Sequence, residues 1–179
     1  VLRPILRLWE ADPADEDYYP VTVEVYNNAR ELVPYTFEKC PEKTLVYGRN
    51  NVEIMLALGL GDKIEMITDC GSVKPEYEAE FEKLDQLQNH QDIGYFVKEY
   101  ALSLEPDMVI GWYSLFNMED RMGDVDFWHE RNIGTYTSIN SVLKDNQSLE
   151  TSMRISAISR QSTISRQKQR KSSVRLKRV

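Results

Sequence analysis

Residues that build disulfide scaffolds and metal sites are scarce in this sequence. Its 179 residues include two cysteines and two histidines. Cys40 and Cys70 have no C-x-x-C spacing, which argues against a disulfide framework and predicts two structural thiols. His90 and His129 are 39 positions apart, and neither has a cysteine or an acidic cluster at ligand spacing beside it. No zinc site is therefore predicted, and neither a metal ion nor a cofactor is expected.

The sequence also lacks catalytic signatures and long apolar runs. It contains no G-x-S-x-G, no P-loop and no G-x-G-x-x-G, so no nucleophile or nucleotide-binding motif points to catalysis. No run approaches the roughly 20 apolar residues that a membrane helix needs. Residues 1 to 8 form too short an apolar stretch, and one too interrupted by arginine, to act as a secretion signal.

Positive charge is sparse in the body of the chain and concentrated at its end. Residues 151 to 179 contain nine Lys or Arg and no acid, whereas the first 150 residues contain 13 basic and 29 acidic residues. Duplex binding depends on neutralising phosphates with Lys and Arg, so the acidic body argues against nucleic acid as the main partner. The length suffices for one domain of ordinary size.

The last 29 residues differ in composition from everything before them. They hold seven serines and no glycine, proline or aromatic residue, a composition typical of disorder. Two interpretations stay open. The segment is either a basic tail that touches anionic lipid or nucleic acid, or the product of a reading-frame slip near residue 150, which we favour.

A compact strand, turn, helix and strand unit occupies residues 44 to 67. Thr44–Tyr47 is a short apolar and β-branched run, and residues 48 to 51 form a turn that can cap a helix. From Val52 onward apolar residues cover nearly the whole circumference, which predicts a helix buried on more than one side. A second half-buried strand follows at residues 63 to 67. So short a connection predicts a βαβ crossover and a parallel sheet.

The remaining patterns predict one α/β unit. Alternation with period two at residues 21 to 26 and 31 to 38, with Asn27 and Asn28 in the turn between, predicts a β-hairpin. Further elements are predicted as strands at residues 108 to 112 and 134 to 139, helices at 76 to 87, 96 to 104 and 125 to 132, and a loop at 113 to 123. The predicted fold class is α/β: a doubly wound parallel sheet preceded by a β-hairpin, with a disordered basic C-terminal tail.

Three motifs in the same order resemble the substrate-binding proteins of ABC importers that carry iron-siderophores, haem or cobalamin. Residues 51 to 53 read N-V-E and match that family's N-x-E at the start of a helix. Residues 57 to 62 (ALGLGD) match its helix exit, and residues 105 to 111 (EPDMVIG) match its K-P-D-L-V-I-G strand. The match covers residues 19 to 141. The resemblance implies the solute-binding component of an ABC importer, truncated after the first of two lobes, and not an enzyme.

The resemblance also implies an organisation and a location for the chain. Residues 1 to 18 are expected to form a linker, residues 19 to 150 the N-terminal lobe, and residues 151 to 179 the basic or frame-shifted tail. Family members are exported, which implies an extracytoplasmic, membrane-associated protein. The implied partners are an ABC permease and a metal-chelate or corrinoid ligand, with peripheral membrane association through the permease or through a lipid anchor that this chain lacks.

Two candidate ligand-binding residues lie at the end of the third parallel strand. Ligands of parallel sheets bind at the carboxyl ends of the strands, which is where Trp112 and Tyr113 are expected. Their rings can stack on a flat macrocycle or on the aromatic groups of a siderophore. The resemblance implies a Trp or Tyr of the ligand cleft at this point. Alternatively, Trp112 packs against a neighbouring helix.

The turn after the first parallel strand supplies a second candidate wall of the ligand-binding site. Arg49, Asn50 and Asn51 follow Gly48 there, and Arg49 can pair with a ligand carboxylate. Alternatively, Asn50 only caps the helix. Asn140 is a further candidate ligand-binding residue because it follows the fourth predicted strand.

Glu99 is a candidate for docking to the permease. It lies seven residues before Pro106, where the resemblance implies a surface glutamate that pairs with a permease arginine. An exposed charge pair of this kind sets register and association rate more than affinity. The alternative is an ordinary solvated glutamate.

Two other functions stay open at this point. A small enzyme of flavodoxin-like or hydrolase-like architecture needs a nucleophile and a base that the sequence does not reveal. An interaction module would bind nucleic acid or membrane through the basic tail.

Overall fold

The computed structural model describes residues 5, 7 to 9, 18 to 87, 97 to 117 and 122 to 142. The strands in these residues are Val21–Tyr26 (β1), Leu32–Phe37 (β2), Thr44–Tyr47 (β3), Ile64–Thr68 (β4), Met108–Gly111 (β5) and Gly134–Thr137 (β6). The α-helices are Arg49–Ala57 (α1), Glu78–Phe81 (α2), Lys98–Ser103 (α3), Tyr113–Phe116 (α4), Val125–His129 (α5) and Ile139–Val142 (α6). The 3₁₀ turns are Arg7–Trp9, Gly61–Lys63, Pro75–Tyr77 and Glu82–Leu87. The predicted tail at residues 151 to 179 lies outside the described residues.

The strands form a parallel sheet with a separate hairpin. β1 and β2 pair antiparallel, and the other four strands are parallel in the order β4-β3-β5-β6. From β3 the chain therefore adds β4 on one side and β5 with β6 on the other. The boundary between β3 and β5 is the switch point of a doubly wound sheet, where such folds bind ligands. The predicted fold class is confirmed for the described residues.

The sheet is covered on both faces, because every residue of β3, β5 and β6 is buried. Alternate side chains enter two apolar clusters, as the period of a strand requires. One cluster contains sheet, α1 and hairpin residues, among them Val46, Ile110, Val52, Met55, Val25 and Phe37. The other contains sheet, α4 and α5 residues, among them Leu45, Val109, Leu115, Phe116, Val125 and Trp128. Each such buried side chain contributes roughly 1.5–3 kcal/mol, so the two layers stabilise the lobe.

Helix α1 ends as its sequence predicts. Gly59 adopts a left-handed conformation with φ of 69°. Its amide donates to Leu56 O at 2.9 Å, and the amide of Leu60 donates to Met55 O at 2.9 Å. This pair of hydrogen bonds forms a Schellman motif. The left-handed position in the motif favours glycine because glycine lacks a Cβ. The ALGLGD segment is therefore the helix exit.

Several element boundaries differ from the predicted ones. Helix α1 begins at Arg49 rather than at Val52, with Gly48 as its N-cap residue. The predicted loop after β5 contains helix α4, because Leu115 and Phe116 bury their side chains in a core cluster. β6 ends at Thr137, before a further helix. These short segments take their conformation from tertiary burial, which local propensity does not report.

Residues 5, 8 and 9 pack against the rest of the described structure. Ile5 and Leu8 are buried in the same cluster as α1, and Trp9 Nε1 donates to Pro41 O at 3.0 Å. The Tyr19 hydroxyl donates to Leu8 O. Ile5, Leu8 and Trp9 of the predicted linker over residues 1 to 18 therefore pack against the rest of the protein, because their apolar side chains gain more from burial than from solvation. The boundary of the linker at residue 18 stays a prediction.

Asp107 connects the amino ends of β3 and β5. Its Oδ2 accepts hydrogen bonds from the amides of Glu42 at 3.0 Å and Lys43 at 3.2 Å, and its Oδ1 lies 2.8 Å from Lys39 Nζ. Burial raises the pKa of Asp107, but these partners outweigh burial and hold the pKa of this carboxyl below its ordinary value. The carboxylate thus anchors the sheet edge opposite to the switch-point loops.

We predict that Asp107→Asn lowers the free energy of unfolding by about 1–3 kcal/mol at pH 6, because two backbone amides and the Lys39 ammonium lose a charged acceptor. The depressed pKa means that Asp107 contributes stability above the unfolded-state value of about 3.9 and loses it as the pH falls through the folded-state value. Urea unfolding of parent and variant between pH 6 and pH 2.5 measures both effects.

Lys39→Met is the control for Asp107→Asn. It removes an ammonium whose side chain is 75% exposed, so we expect it to cost less than about 1 kcal/mol. Equal stability of Asp107→Asn and parent at pH 6, or a difference that does not shrink in acid, would contradict this role of Asp107.

Candidate ligand-binding rim

The loops after β3, β5 and β6 meet at one edge of the sheet. Gly48 follows β3, Trp112 follows β5 and Ser138 follows β6. Because the strands are parallel, all three positions lie at their carboxyl ends. We call residues 48 to 51, 112, 113 and 138 the rim. It contains five of the six residues predicted to bind ligand.

Trp112 lies at the switch point and is partly exposed. Its side chain is 38% exposed, and it packs edge-on against Tyr47 with 6.1 Å between ring centroids. A Cβ on Gly48 would lie 3.1 Å from Trp112 Nε1, so the indole rests on the glycine backbone. Trp112 therefore packs against the end of β3 and the residue that precedes α1. Its role in binding a ligand stays a prediction.

Arg49 and Asn50 form the exposed first turn of α1. The Arg49 side chain is 56% exposed and lies 3.9 Å from Glu53 Oε1. Asn50 is also exposed, and it is not the helix cap, because Gly48 occupies that position. Helix α1, which the structure describes completely, has no side-chain cap and no acid in its first turn. The start of α1 and the Arg49 guanidinium are therefore positive groups of the rim, and the Glu53 carboxylate beside Arg49 offsets part of this charge.

Asn51 connects two strand ends inside the rim. Its side chain is buried, and Nδ2 donates to Tyr47 O at 2.7 Å while Oδ1 accepts a hydrogen bond from the Ser138 hydroxyl. Both ends of the amide thus have a protein partner. The amide holds the end of β6 against the end of β3, and ligand binding by Asn51 stays a prediction.

Glu53, the third residue of the N-x-E motif, anchors the loop after β4. Its carboxylate is buried and accepts hydrogen bonds from the amide of Lys74 at 3.1 Å and from Lys74 Nζ at 2.9 Å. Burial, followed by the nearby Glu53 charge, raises the pKa of Cys70 to about 11. The Cys70 thiol therefore stays protonated at neutral pH, in agreement with a structural thiol.

Tyr113 has protein partners at its hydroxyl, at its ring and at its backbone amide. Its hydroxyl donates to Asn28 O at 2.7 Å, and the Arg30 guanidinium lies 4.2 Å from the ring centroid. Its amide donates to Ser141 Oγ at 2.7 Å. Sequence reasoning missed Asn28 and Arg30, because they lie in the hairpin turn more than 80 positions earlier and no local pattern links them to Tyr113.

The two remaining predicted residues belong to helices α6 and α3. Asn140 belongs to α6, but its side chain lies outside the described residues. Ser138 takes the position predicted for Asn140, because β6 ends two residues earlier than its sequence pattern indicates. Glu99 is exposed in the first turn of α3. Its role in docking stays a prediction.

The part of the chain that the structure describes contains no group of three or more His, Cys, Asp or Glu side chains able to hold a metal ion. The same residues include no helix with the length and apolar character needed to cross a membrane.

We predict that Gly48→Ala destabilises the protein by about 1–3 kcal/mol, because its φ of 89° is strained for any residue with a Cβ. The new methyl group also displaces the Trp112 indole. Urea unfolding measures the first effect, and the ¹⁹F resonance of 5-fluorotryptophan at position 112 measures the second.

Gly71→Ala is the matched control for Gly48→Ala. Gly71 has φ of 62°, but a Cβ there meets nothing within 4 Å. We expect this variant to lose stability without moving the Trp112 resonance. An unchanged resonance in Gly48→Ala would contradict the close packing of indole and glycine.

Comparison with solved structures supports the α/β fold described above. No family model and no curated protein matches the chain. A periplasmic binding protein from Veillonella parvula has a similar structure, with a TM-score of 0.60 and 28% identity over 69% of this chain and 39% of that chain. An ABC-type Fe3+-hydroxamate transport protein from Saccharomonospora viridis matches with a TM-score of 0.47 and 20% identity, over 66% of this chain and 39% of that chain. The resemblance predicted from the sequence is thus confirmed, since this chain has the α/β fold of part of a periplasmic binding protein, in extent consistent with a single lobe.

Proposed function

We propose that this chain is a solute-binding lobe of an ABC importer and that its rim forms one wall of the ligand cleft. The observation that carries the proposal is the exposed part of Trp112 at the switch point of the sheet. This is where doubly wound sheets bind ligands. The similar fold of the Veillonella parvula periplasmic binding protein supports a transport role over catalysis.

The rim chemistry favours a ligand with a flat or aromatic surface and a negative group. The exposed part of the Trp112 indole offers a stacking surface. The exposed Arg49 guanidinium and the uncapped start of α1 attract an anionic group. An iron-siderophore, haem or a corrinoid supplies such groups, which agrees with the ligand class implied by the sequence resemblance.

The proposal includes an extracytoplasmic location and a permease partner. The Veillonella parvula protein is described as periplasmic. Glu99 is the proposed docking residue, supported by its exposure at the start of α3. Because α3 leads into β5 and runs in the opposite direction, its first turn lies toward the rim edge of the sheet.

The rim is proposed as half of a complete site. The chain spans 39% of the length of the Veillonella parvula protein, and the family that the sequence resembles closes its cleft between two lobes. Ligand sites in proteins bury most of the ligand surface, whereas one wall buries only part of it. We therefore expect weak binding by these residues alone.

We predict that the 179-residue chain binds its ligand with a dissociation constant weaker than micromolar, since much of the contact area is missing. Titration with a ferric tris-hydroxamate, a ferric tris-catecholate, haemin and cyanocobalamin, followed by tryptophan fluorescence, checks this. Micromolar or tighter binding of any of the four would overturn the half-site interpretation.

We predict that Trp112→Ala lowers the residual affinity about tenfold, because the stacking surface is lost. Arg49→Gln is expected to weaken only anionic ligands, and the effect should diminish in high salt. The affinity of Arg49→Gln is measured from the ligand-induced ¹⁹F shifts of its fluorotryptophan resonances at millimolar ligand. The affinity of Trp112→Ala is measured by equilibrium dialysis.

Arg131→Gln is the matched control for Arg49→Gln. It removes the same charge from a residue that lies just before β6, at the opposite edge of the sheet. Equal losses of affinity in the two arginine variants would show that net charge, rather than the rim, attracts the ligand.

A further inference from the structure

The turn between β1 and β2 contacts the helices that follow β5 and β6. We call residues 27 to 30 the hairpin turn. It is closed by bonds from Arg30 N to Asn27 O at 3.0 Å and from Asn27 N to Glu31 O at 2.9 Å. A turn of this kind needs no contact with the rest of the protein to form. Its contacts with α4, α5 and α6 are therefore additional to its role in connecting β1 and β2.

Asn28 binds three separate backbone or side-chain groups around α4. Its Nδ2 donates to Phe116 O, and its Oδ1 accepts from the amide of Val125 at 2.8 Å. Its backbone oxygen accepts from the Tyr113 hydroxyl at 2.7 Å. Phe116 O and Val125 N belong to helix ends, where backbone groups lack intrahelical partners. Asn28 thus supplies one hydrogen-bond partner at the end of α4 and one at the start of α5, which the Asp124 side chain also caps.

Arg30 holds a conformation that glycine or asparagine would adopt more easily. Its φ of 64° lies in the left-handed region, which costs an ordinary residue of order 1 kcal/mol or more. Its guanidinium lies 4.2 Å from the Tyr113 ring centroid, and Nη1 donates to Val142 O at 2.5 Å. The arginine side chain therefore joins α4 to α6 from a backbone position that does not favour arginine.

The geometry points to the hairpin turn as a positioning element for the rim. We propose that Asn28 and Arg30 hold α4, and with it Trp112, in the orientation that receives ligand. Tyr113 then serves as the attachment point of the turn, and Trp112 is the ligand-facing aromatic residue. This inference rests on the proposed function of the rim.

A merely structural role predicts a different response to mutation from a positioning role. Loss of global stability raises hydrogen exchange in the most protected strands and in α4 alike, whereas loss of local order raises it in α4 only. Hydrogen exchange therefore distinguishes a loss of order in α4 from a loss of stability of the whole protein. The variants are Asn28→Ala, which removes both side-chain bonds, and Arg30→Gly, which removes the side chain and relieves the left-handed strain.

We expect both variants to raise amide exchange in residues 112 to 117 about tenfold, the equivalent of one lost hydrogen bond, with β3 and β5 unchanged. The ¹⁹F resonance of fluorotryptophan 112 should shift, and that of buried Trp128 should not. Thr22→Ala is the control. It removes the exposed hydrogen bond between Thr22 and Thr36 in the same hairpin at 2.8 Å, away from the rim.

Exchange that rises equally in α4 and in the core strands, or an unmoved Trp112 resonance in both variants, would overturn the positioning role. The proposed function is tested separately in the parent protein, with a gallium(III) tris-hydroxamate, a gallium(III) tris-catecholate and cyanocobalamin at millimolar concentration. If none of the three shifts the Trp112 resonance, the ligand-binding role fails while the structural link between turn and α4 stands.

Discussion

The contact between the Trp112 indole and the backbone of Gly48 is the interaction on which the candidate site depends. A Cβ at position 48 would lie 3.1 Å from the indole nitrogen, so only glycine lets the two strand ends approach this closely. The contact is possible because β3 and β5 are neighbours although they are separated by β4 in sequence. The reversal of strand order thus brings a partly exposed aromatic ring beside the positive start of α1.

Side-chain hydrogen bonds link the short, buried strands of the parallel sheet at both of their ends. At the amino ends, Asp107 accepts hydrogen bonds from the segment that enters β3. At the carboxyl ends, the Asn51 amide joins the ends of β3 and β6. Strands of four or five residues supply few ladder hydrogen bonds, so side-chain links of this kind contribute a large part of their alignment. The rim residues therefore align the sheet, in addition to the ligand-binding role proposed for them.

Much of the fold followed from local patterns, whereas the roles of individual rim residues did not. The hairpin, the four parallel strands and the exit of α1 were predicted at nearly their observed positions. Asn51 and Tyr113 were predicted as ligand-facing, but the structure gives each of them protein partners. The partners of Tyr113 are Asn28 and Arg30, whose sequence context indicates only a turn. A polar residue at a strand end looks the same in sequence whether it faces a ligand or a neighbouring loop.

The sequence by itself determined the strand and helix periods and the glycine exit of α1, because these depend on contacts between residues close in the chain. It also determined the parallel pairing of β3 and β4, because a short connection through a helix returns the chain in the same direction. Only the tertiary structure decided that α4 forms, that Ser138 rather than Asn140 follows β6, and that the hairpin turn contacts the rim helices. Those features depend on groups such as Asn28 and Val125, which lie 97 positions apart. Burial and hydrogen bonding between distant segments leave no periodic pattern in either segment.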